Sequence, residues 1–418
     1  MARRPEVGVE RLTLDGRRTD GTGAGAPHAV PSGARSGGAL RPSDVVGVRD
    51  VVRDAIDRKT AVRIVGQGSW LDAGRPVGDH PHLSLNGLTG IVDYTPGDLT
   101  LTARAGTSLA EIARATAANG QWLALDPWGG DAGSLGAVAA TASAGPMSGA
   151  LGTPRDIVIG LEAVTGIGEI VRGGGRVVKN VAGFDLTRLM IGAWGTLGVL
   201  TEISVRLRAL PEQDITLALA VPGTSARLSA LLGGIRGAAV APLGLELLNS
   251  ALVRRLELGS EALLLARLAG NAESVVGQRE ALAGLGDVVE VDGAIWDRLR
   301  VAEPASASVI RLSGSVGRFA DTWGAAERVA ATVDGGFAHA TVLRSVARVV
   351  VPNDNGALPA PALDVLQAAS RDVRIFERLP AELWPTLAPA AVADRLSRGI
   401  RDAFDPHRLL NPGILGES

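Results

Sequence analysis

The junction at residues 61–74 restricts the fold more than any other stretch. A short apolar run, AVRIV, ends directly on GQGSWLDAG. A strand that stops on glycines hands the chain to a backbone able to turn sharply and to come close to a bound group. Successive N–H groups there, with Ser69, can cradle phosphate oxygens without any basic side chain. The alternative is an ordinary loop.

The same pattern, apolar segment then small residues, recurs down the chain. Val45, Val48, Val52, Ala55 and Ile56 repeat at helical spacing before the junction. After it, DLTLTARA alternates as a strand, and Ser108 with Glu111 forms an S-x-x-E capping box for a helix that stops at Asn119-Gly120. GGDAGSLGAVAATASAG (129–145) reads as a glycine-rich turn into a small-residue helix over AVAATASAG. Such a helix either admits a flat ligand at its N-terminus or is simply tightly packed. IVIGLEAVTGIGEIVRGG reads as two strands around Gly166-Ile167-Gly168, and Ile203, Val205 and Leu207 alternate with Ser204, Arg206 and Arg208 in a half-buried strand. Pro211 closes this first region.

Beyond it, DITLALAV, SARLSALLGGI, GLELL, ALLLARL, a helix near 273–285 and VVEV give the order βαββαβ, a ferredoxin-like signature. SVIRLSG, helical FADTWGAAERVAATV and ATVLRSVARVVV repeat the theme, and a last helix, AVADRLSRGIRDAF, runs into DPHRLLNPGIL. The expected class is α+β, with a poorly ordered tail over 1–40, a first domain over 41–210, a ferredoxin-like cap domain over 211–395 and a segment over 396–418 that returns to the first domain.

Composition narrows the chemistry. At 418 residues, two domains are the natural expectation. A net charge of -2 offers no basic field for nucleic acid. The absence of cysteine excludes a disulfide, a thiolate zinc site and an iron–sulfur cluster held by this chain. No long uncharged apolar run and no apolar segment near the N-terminus occur, so a soluble, cytoplasmic chain without a membrane span is expected. GTGAGA (21–26) matches the dinucleotide fingerprint, but Pro27 and a breaker-rich stretch follow where the fingerprint needs a helix. The five histidines, His28, His80, His82, His339 and His407, form no metal-ligand spacing, so no metal is expected. In a chain whose basic residues are otherwise arginine, Lys179 of RVVKNVAGFDL stands out beside Asn180. The pair could meet a negative charge and orient a ligand, or cap a turn.

These blocks, with GTLGVLTE (195–202) and FDPHRLLNPG (404–413), resemble the flavin-binding domain of the vanillyl-alcohol-oxidase or PCMH type, among whose members are the FAD-binding subunits of glycolate oxidases. The resemblance covers most of 40–210 and returns in the tail. It implies a two-subdomain domain holding FAD non-covalently, since the glycine loop has no histidine and the chain no cysteine. By this resemblance Gly66, Gln67, Gly68, Ser69 and Trp70 hold the diphosphate, while Gly133, Ser134, Leu135, Gly136, Thr141, Ser143 and Gly145 line the rest. Val199 and Leu200 meet the adenine side, Asn411 reaches back from the tail, and Lys179 and Asn180 stand near the isoalloxazine. Phe184, where relatives carry tyrosine, and Ala193-Trp194 depart from the family pattern. No catalytic base is evident. The resemblance therefore implies a subunit working beside a catalytic FAD subunit and an iron–sulfur subunit that together oxidise glycolate to glyoxylate, in the cytoplasm or peripheral to the inner membrane through those partners. A self-sufficient FAD oxidoreductase for D-lactate-like acids or a sugar lactone, and a scaffold without flavin, are the alternatives.

Overall fold

The computed structural model describes residues 39–130, 133–175, 185–221, 223–352, 358–368, 373–388, 390 and 392–416. The helix Val45–Arg58 forms on the predicted stripe, burying Val48, Val52 and Ala55. Asp44 caps its start, accepting from the Gly47 N–H at 2.7 Å, and Lys59 ends it in the left-handed region at φ 52°. The strand Arg63–Val65 pairs in parallel with His82–Ser84. A five-stranded antiparallel sheet follows, ordered Ile91–Thr95, Thr100–Arg104, Gly198–Arg206, Val158–Thr165 and Ile170–Gly174. Its middle strand is apolar where it meets both neighbours, and Val199, Ile203 and Val205 are fully buried. One apolar core joins both sheets, running through Leu83, Leu101, Leu135, Ile191 and Leu410.

The second half is one eight-stranded antiparallel sheet. Its order is Val288–Val291, Gln213–Ala220, Leu263–Gly270, Gly244–Leu248, Phe337–Thr341, Val346–Val351, Ser308–Ser313 and Val373–Arg378. Each set of four has the ferredoxin-like order, and the sets meet edge to edge through their second strands, with Glu246 opposite Thr341 and Leu248 opposite His339. The repeated theme in the sequence is therefore two such units sharing a sheet. One sheet face is covered by helices that include Ser225–Gly237, Ala272–Ala283 and Phe319–Ala330. The other face receives the helices Ser250–Arg255 and Ile295–Arg300, and with them Trp128 from the first half of the chain.

One local expectation changes. The helix expected through 145 ends at Thr141, because Ala142 turns into the left-handed region at φ 53°. ATVLRSVARVVV forms two strands, separated by a turn at Val342–Arg344 and a left-handed Ser345. The strand Val373–Arg378 and the helix Ser250–Arg255 were not foreseen.

The C-terminal helix Arg395–Phe404 starts on Asp394, which accepts from the Leu396 and Ser397 N–H groups. Asp405, wholly buried, then accepts from the N–H groups of Leu409 and Leu410 at 3.1 and 3.0 Å and pairs with Arg401 at 3.2 Å. That clasp delivers the tail to the first sheet, where Val62 N–H donates to Leu409 and Asn411 N–H donates to Val62. Asp405→Ala would remove Arg401's carboxylate partner and leave two N–H groups without their acceptor, and should cost about 3 kcal/mol or more. Thermal unfolding of the variant checks this; an unchanged midpoint would mean the clasp contributes nothing.

Candidate functional site

A cavity opens between the two sheets of the first half. Gly66, Gly68, Ser69, Trp70, Gly136, Thr141, Leu200 and Asn411 wall it together, although they come from four separate stretches of chain. Around this set the remaining predicted residues divide. Gln67 turns away and donates from Nε2 to the Gly106 carbonyl at 3.0 Å. Gly133 lies against Ser69, and Ser134 caps the helix Leu135–Thr141, accepting from Ala137 N–H at 3.3 Å. Leu135 and Val199 face the core instead of the cavity. Asn411 is fully engaged: its Oδ1 accepts from Ile64 N–H and its Nδ2 donates to the Trp194 carbonyl, both at 2.8 Å. It braces the wall. Ser143 and Gly145 lie past the end of the helix, and Lys179 and Asn180 fall outside the described residues.

The cradle is made of backbone. A Cβ on Gly66 would run into Ser134 Oγ, and one on Gly136 would stand 2.7 Å from the Ala105 carbonyl oxygen. Gly68 takes φ 82°, open to glycine and costly for other residues. Ser143 Oγ is buried with no hydrogen-bond partner among the described residues. A buried hydroxyl left unpaired is what a polar ligand group would satisfy. These small, close-set walls suit a flat cofactor carrying phosphates.

Thr141 belongs to this cavity and the next residue, Ala142, to another of about 240 Å³ between the two halves of the chain. Arginines line it from both sides: Arg155 from the first half, and Arg311, Arg344 and Arg348 from the second, with Trp128 and Thr341 between them. Arg155 is fixed by two hydrogen bonds to the Ile191 carbonyl, at 3.2 and 3.0 Å. Behind the pocket, charges alternate. Arg378 pairs with Glu303 at 2.6 Å, Glu303 with Arg348 at 2.7 Å, Arg348 with Glu377 at 2.7 Å, and Glu377 with Arg311 at 2.9 Å. His339 Nδ1 lies 2.7 Å from Glu246 Oε1, while its Nε2 stands 3.6 Å from Glu303, an ion-pair distance. Trp128 is held between His339 and the Arg348 guanidinium, each 4.7 Å from its ring.

Burial alone would raise Glu303, but the Arg348 guanidinium and the contact with His339 hold its carboxyl far below the usual range. Burial alone would lower His339, and the carboxylates Glu246 and Glu303 turn that into an upward shift. Asp126, beside this network, is pushed up to about 7 by burial despite the hydrogen bond from Met147 N–H. The pocket arginines were not foreseen as site residues. The available signal was an arginine in the middle of SVIRLS and of VARVVV: a charge inside an apolar strand needs a partner or a ligand.

Comparison with known proteins agrees with the geometry. The family described as "FAD binding domain" matches residues 37–174. Over 90% of its length the chain superposes on 4-ethylphenol oxidase from Gulosibacter chungangensis, covering 88% of that chain at a TM-score of 0.67 and 14% identity. An alkyldihydroxyacetonephosphate synthase gives 0.65 at 15% identity, over 89% of this chain and 75% of that one. Such likenesses carry the fold. Residues 37–174, within the first half, carry the match to that family, and the second half is built on the eight-stranded sheet.

Among curated relatives it is 38% identical to glycolate oxidase subunit GlcE of Escherichia coli over 253 residues, 60% of this chain and 66% of that protein. It is 33% identical to glycolate oxidase subunit GlcD of Bacillus subtilis over 49% of this chain and 46% of the relative. A mitochondrial D-lactate dehydrogenase [cytochrome] of Arabidopsis thaliana is 34% identical over 34% of this chain and 24% of the relative. The chain thus spans just under two thirds of the first of these and less than half of the others.

The buried titratable groups fix the sign of a pH dependence. A group whose folded pKa is raised holds its proton more tightly in the folded state, so its contribution to stability is complete below the unfolded pKa and is lost as pH rises through the folded one. For Asp126 the loss runs from 3.8 to about 7; for His339 it begins at 6.5 and extends above it. The melting temperature should therefore fall as pH rises through the Asp126 range up to about 7, and go on falling above 6.5 as His339 loses its proton. His339→Gln should flatten the upper part of that fall and Asp126→Asn the lower part. A His339→Gln profile parallel to the parent's above about pH 6.5 would contradict the assignment.

Proposed function

We propose that this chain is the FAD-binding subunit of a glycolate-oxidase-type complex acting on a short 2-hydroxy acid. The adjacency of the small-residue cradle, lined by Thr141, to a pocket lined by Ala142 and four arginines carries the reading. In it the N–H groups of 66–70 hold the FAD diphosphate, residues 133–136 with Thr141, Ser143 and Gly145 line the remainder, Leu200 with the backbone of Val199 meets the adenine side, and Asn411 braces the floor. When bound, FAD supplies a hydride acceptor for the carbinol carbon. Arg155, Arg311, Arg344 and Arg348 receive the carboxylate, for which a planar guanidinium fork is the suited partner.

Among the described residues that line the arginine pocket there is no Asp, Glu, His, Lys or Tyr to take the hydroxyl proton. This supports placing the main oxidation on a sister flavoprotein subunit, with an iron–sulfur subunit accepting electrons and the assembly in the cytoplasm or peripheral to the inner membrane. A second reading, a self-sufficient oxidoreductase for D-lactate-like acids, is favoured by the likeness to D-lactate dehydrogenase.

Dye reduction by the purified chain separates the two. The expected result is FAD uptake, no turnover of glycolate or D-lactate by the chain alone, and glycolate turnover once partner subunits are co-expressed. Turnover by the chain alone would replace the first reading with the second, and a chain that takes up no FAD would remove both. Arg344 is exposed, so Arg344→Met should leave the fold intact while weakening glycolate binding about tenfold, near 1.4 kcal/mol. Calorimetric titration of the FAD-loaded protein with glycolate reads this directly.

A further inference from the structure

We propose that Arg63 is a diphosphate-binding residue, the cation that the buried end of the cofactor cavity holds ready for an anion. Four arginines of the described residues are nine-tenths or more buried: Arg63, Arg300, Arg348 and Arg401. Three have carboxylates beside them, Asp297 for Arg300, Glu303 and Glu377 for Arg348, and Asp405 for Arg401. Arg63 has none within ion-pair distance among the described residues. Its Nη2 donates to the Leu71 carbonyl at 3.3 Å, a long hydrogen bond to a neutral group. Its backbone N–H, donated to Pro81 at 2.9 Å, fixes the strand it stands on.

A guanidinium taken out of water without an anion costs several kcal/mol, which is why buried charges are paired. The same molecule follows that rule at its other buried arginines. Burial depresses the Arg63 pKa, and no neighbouring charge opposes the shift. The missing anion is therefore to be sought in what the cavity binds. Arg63 lines that cavity together with Gly66, Gly68 and Ser69, the loop whose amides take a phosphate on the reading above. A cation behind those amides supplies the charge that neutral N–H groups lack, and a guanidinium can engage two phosphate oxygens at once. The ligand class is a diphosphate ester, as in FAD or ADP. This goes beyond the cradle of amides, since it assigns part of the affinity to one charged side chain.

The test compares Arg63→Met and Arg63→Lys with the parent, each as the cofactor-free full chain titrated with FAD, ADP and riboflavin, at two salt concentrations. For Arg63→Met, FAD and ADP should bind about tenfold or more weakly, the scale of one lost charge-assisted hydrogen bond. Riboflavin, which has the ring system and no phosphate, should bind as in the parent. The cofactor-free variant should melt no lower than the parent, since an unpaired buried charge has been removed. Arg63→Lys should fall between the two, and the salt dependence of ADP binding seen in the parent should shrink in Arg63→Met. FAD and ADP affinities within twofold of the parent's, or an equal loss for riboflavin, would overturn the assignment. A lower melting point with ADP affinity intact would overturn it too, leaving Arg63 as a brace for Leu71. Should Arg63→Met not fold, the parent still decides: ADP binding indifferent to salt rules the cation out. A parent that binds neither FAD nor ADP would fail at the cofactor itself, which is distinguishable from failure of Arg63 alone.

Discussion

The loop after the strand Arg63–Val65 meets the start of the helix Leu135–Thr141 with almost no side chain between them, and the site depends on that closeness. Gly66 has no room for a Cβ beside Ser134, and Gly136 has none beside Ala105. Because the walls are backbone, the cavity presents N–H groups and flat surfaces to whatever enters. A single added methyl at either glycine would push apart two lobes that share one core. Close packing of this kind transmits such a displacement instead of absorbing it.

The second half is positioned by a different device. Trp128 leaves the first half and inserts into the core on one face of the eight-stranded sheet. There it is gripped by His339 on one strand and by Arg348 on the next, which ties the pocket wall to the seam between the two ferredoxin-like units. The seam pairs Glu246 with His339 across their second strands. Neither residue would be tolerated alone at 0% and 1% exposure, and together they mark the register in which the two units join.

Much of the scaffold was legible in the sequence because it follows local rules. The helix Val45–Arg58 declared itself by its buried stripe, the helix Leu109–Ala117 by Ser108 and Glu111, and the strand Gly198–Arg206 by alternation. Gly66, Gly68 and Gly136 of the glycine blocks come to line one cavity for the same reason, since glycine is the residue a close backbone approach demands. What escaped was set by distant partners. An arginine in VARVVV looks like an interruption until the carboxylates of Glu303 and Glu377 arrive from other strands and loops. The strand Val373–Arg378 lies at a sheet edge with Val373 and Ile375 exposed, so it lacks the buried alternation by which its neighbours were found.

The near-exclusive use of arginine gains a structural meaning in this setting, whatever its compositional origin. In the row Arg378, Glu303, Arg348, Glu377, Arg311, Arg348 touches a carboxylate on each side. A planar fork can do this from a buried position; an ammonium, compact and strongly hydrated, would be harder to desolvate there. Lys59, by contrast, sits exposed at a left-handed helix end, where no such bridging is asked of it. At its far end Arg378 also pairs with Asp72 at 3.2 Å, so the row itself is balanced, three guanidiniums against three carboxylates. The end that is Arg311 opens into the pocket, where Arg155 and Arg344 add positive charge without a buried carboxylate of their own. Those two guanidiniums give the pocket a positive field, which favours an anion over water alone.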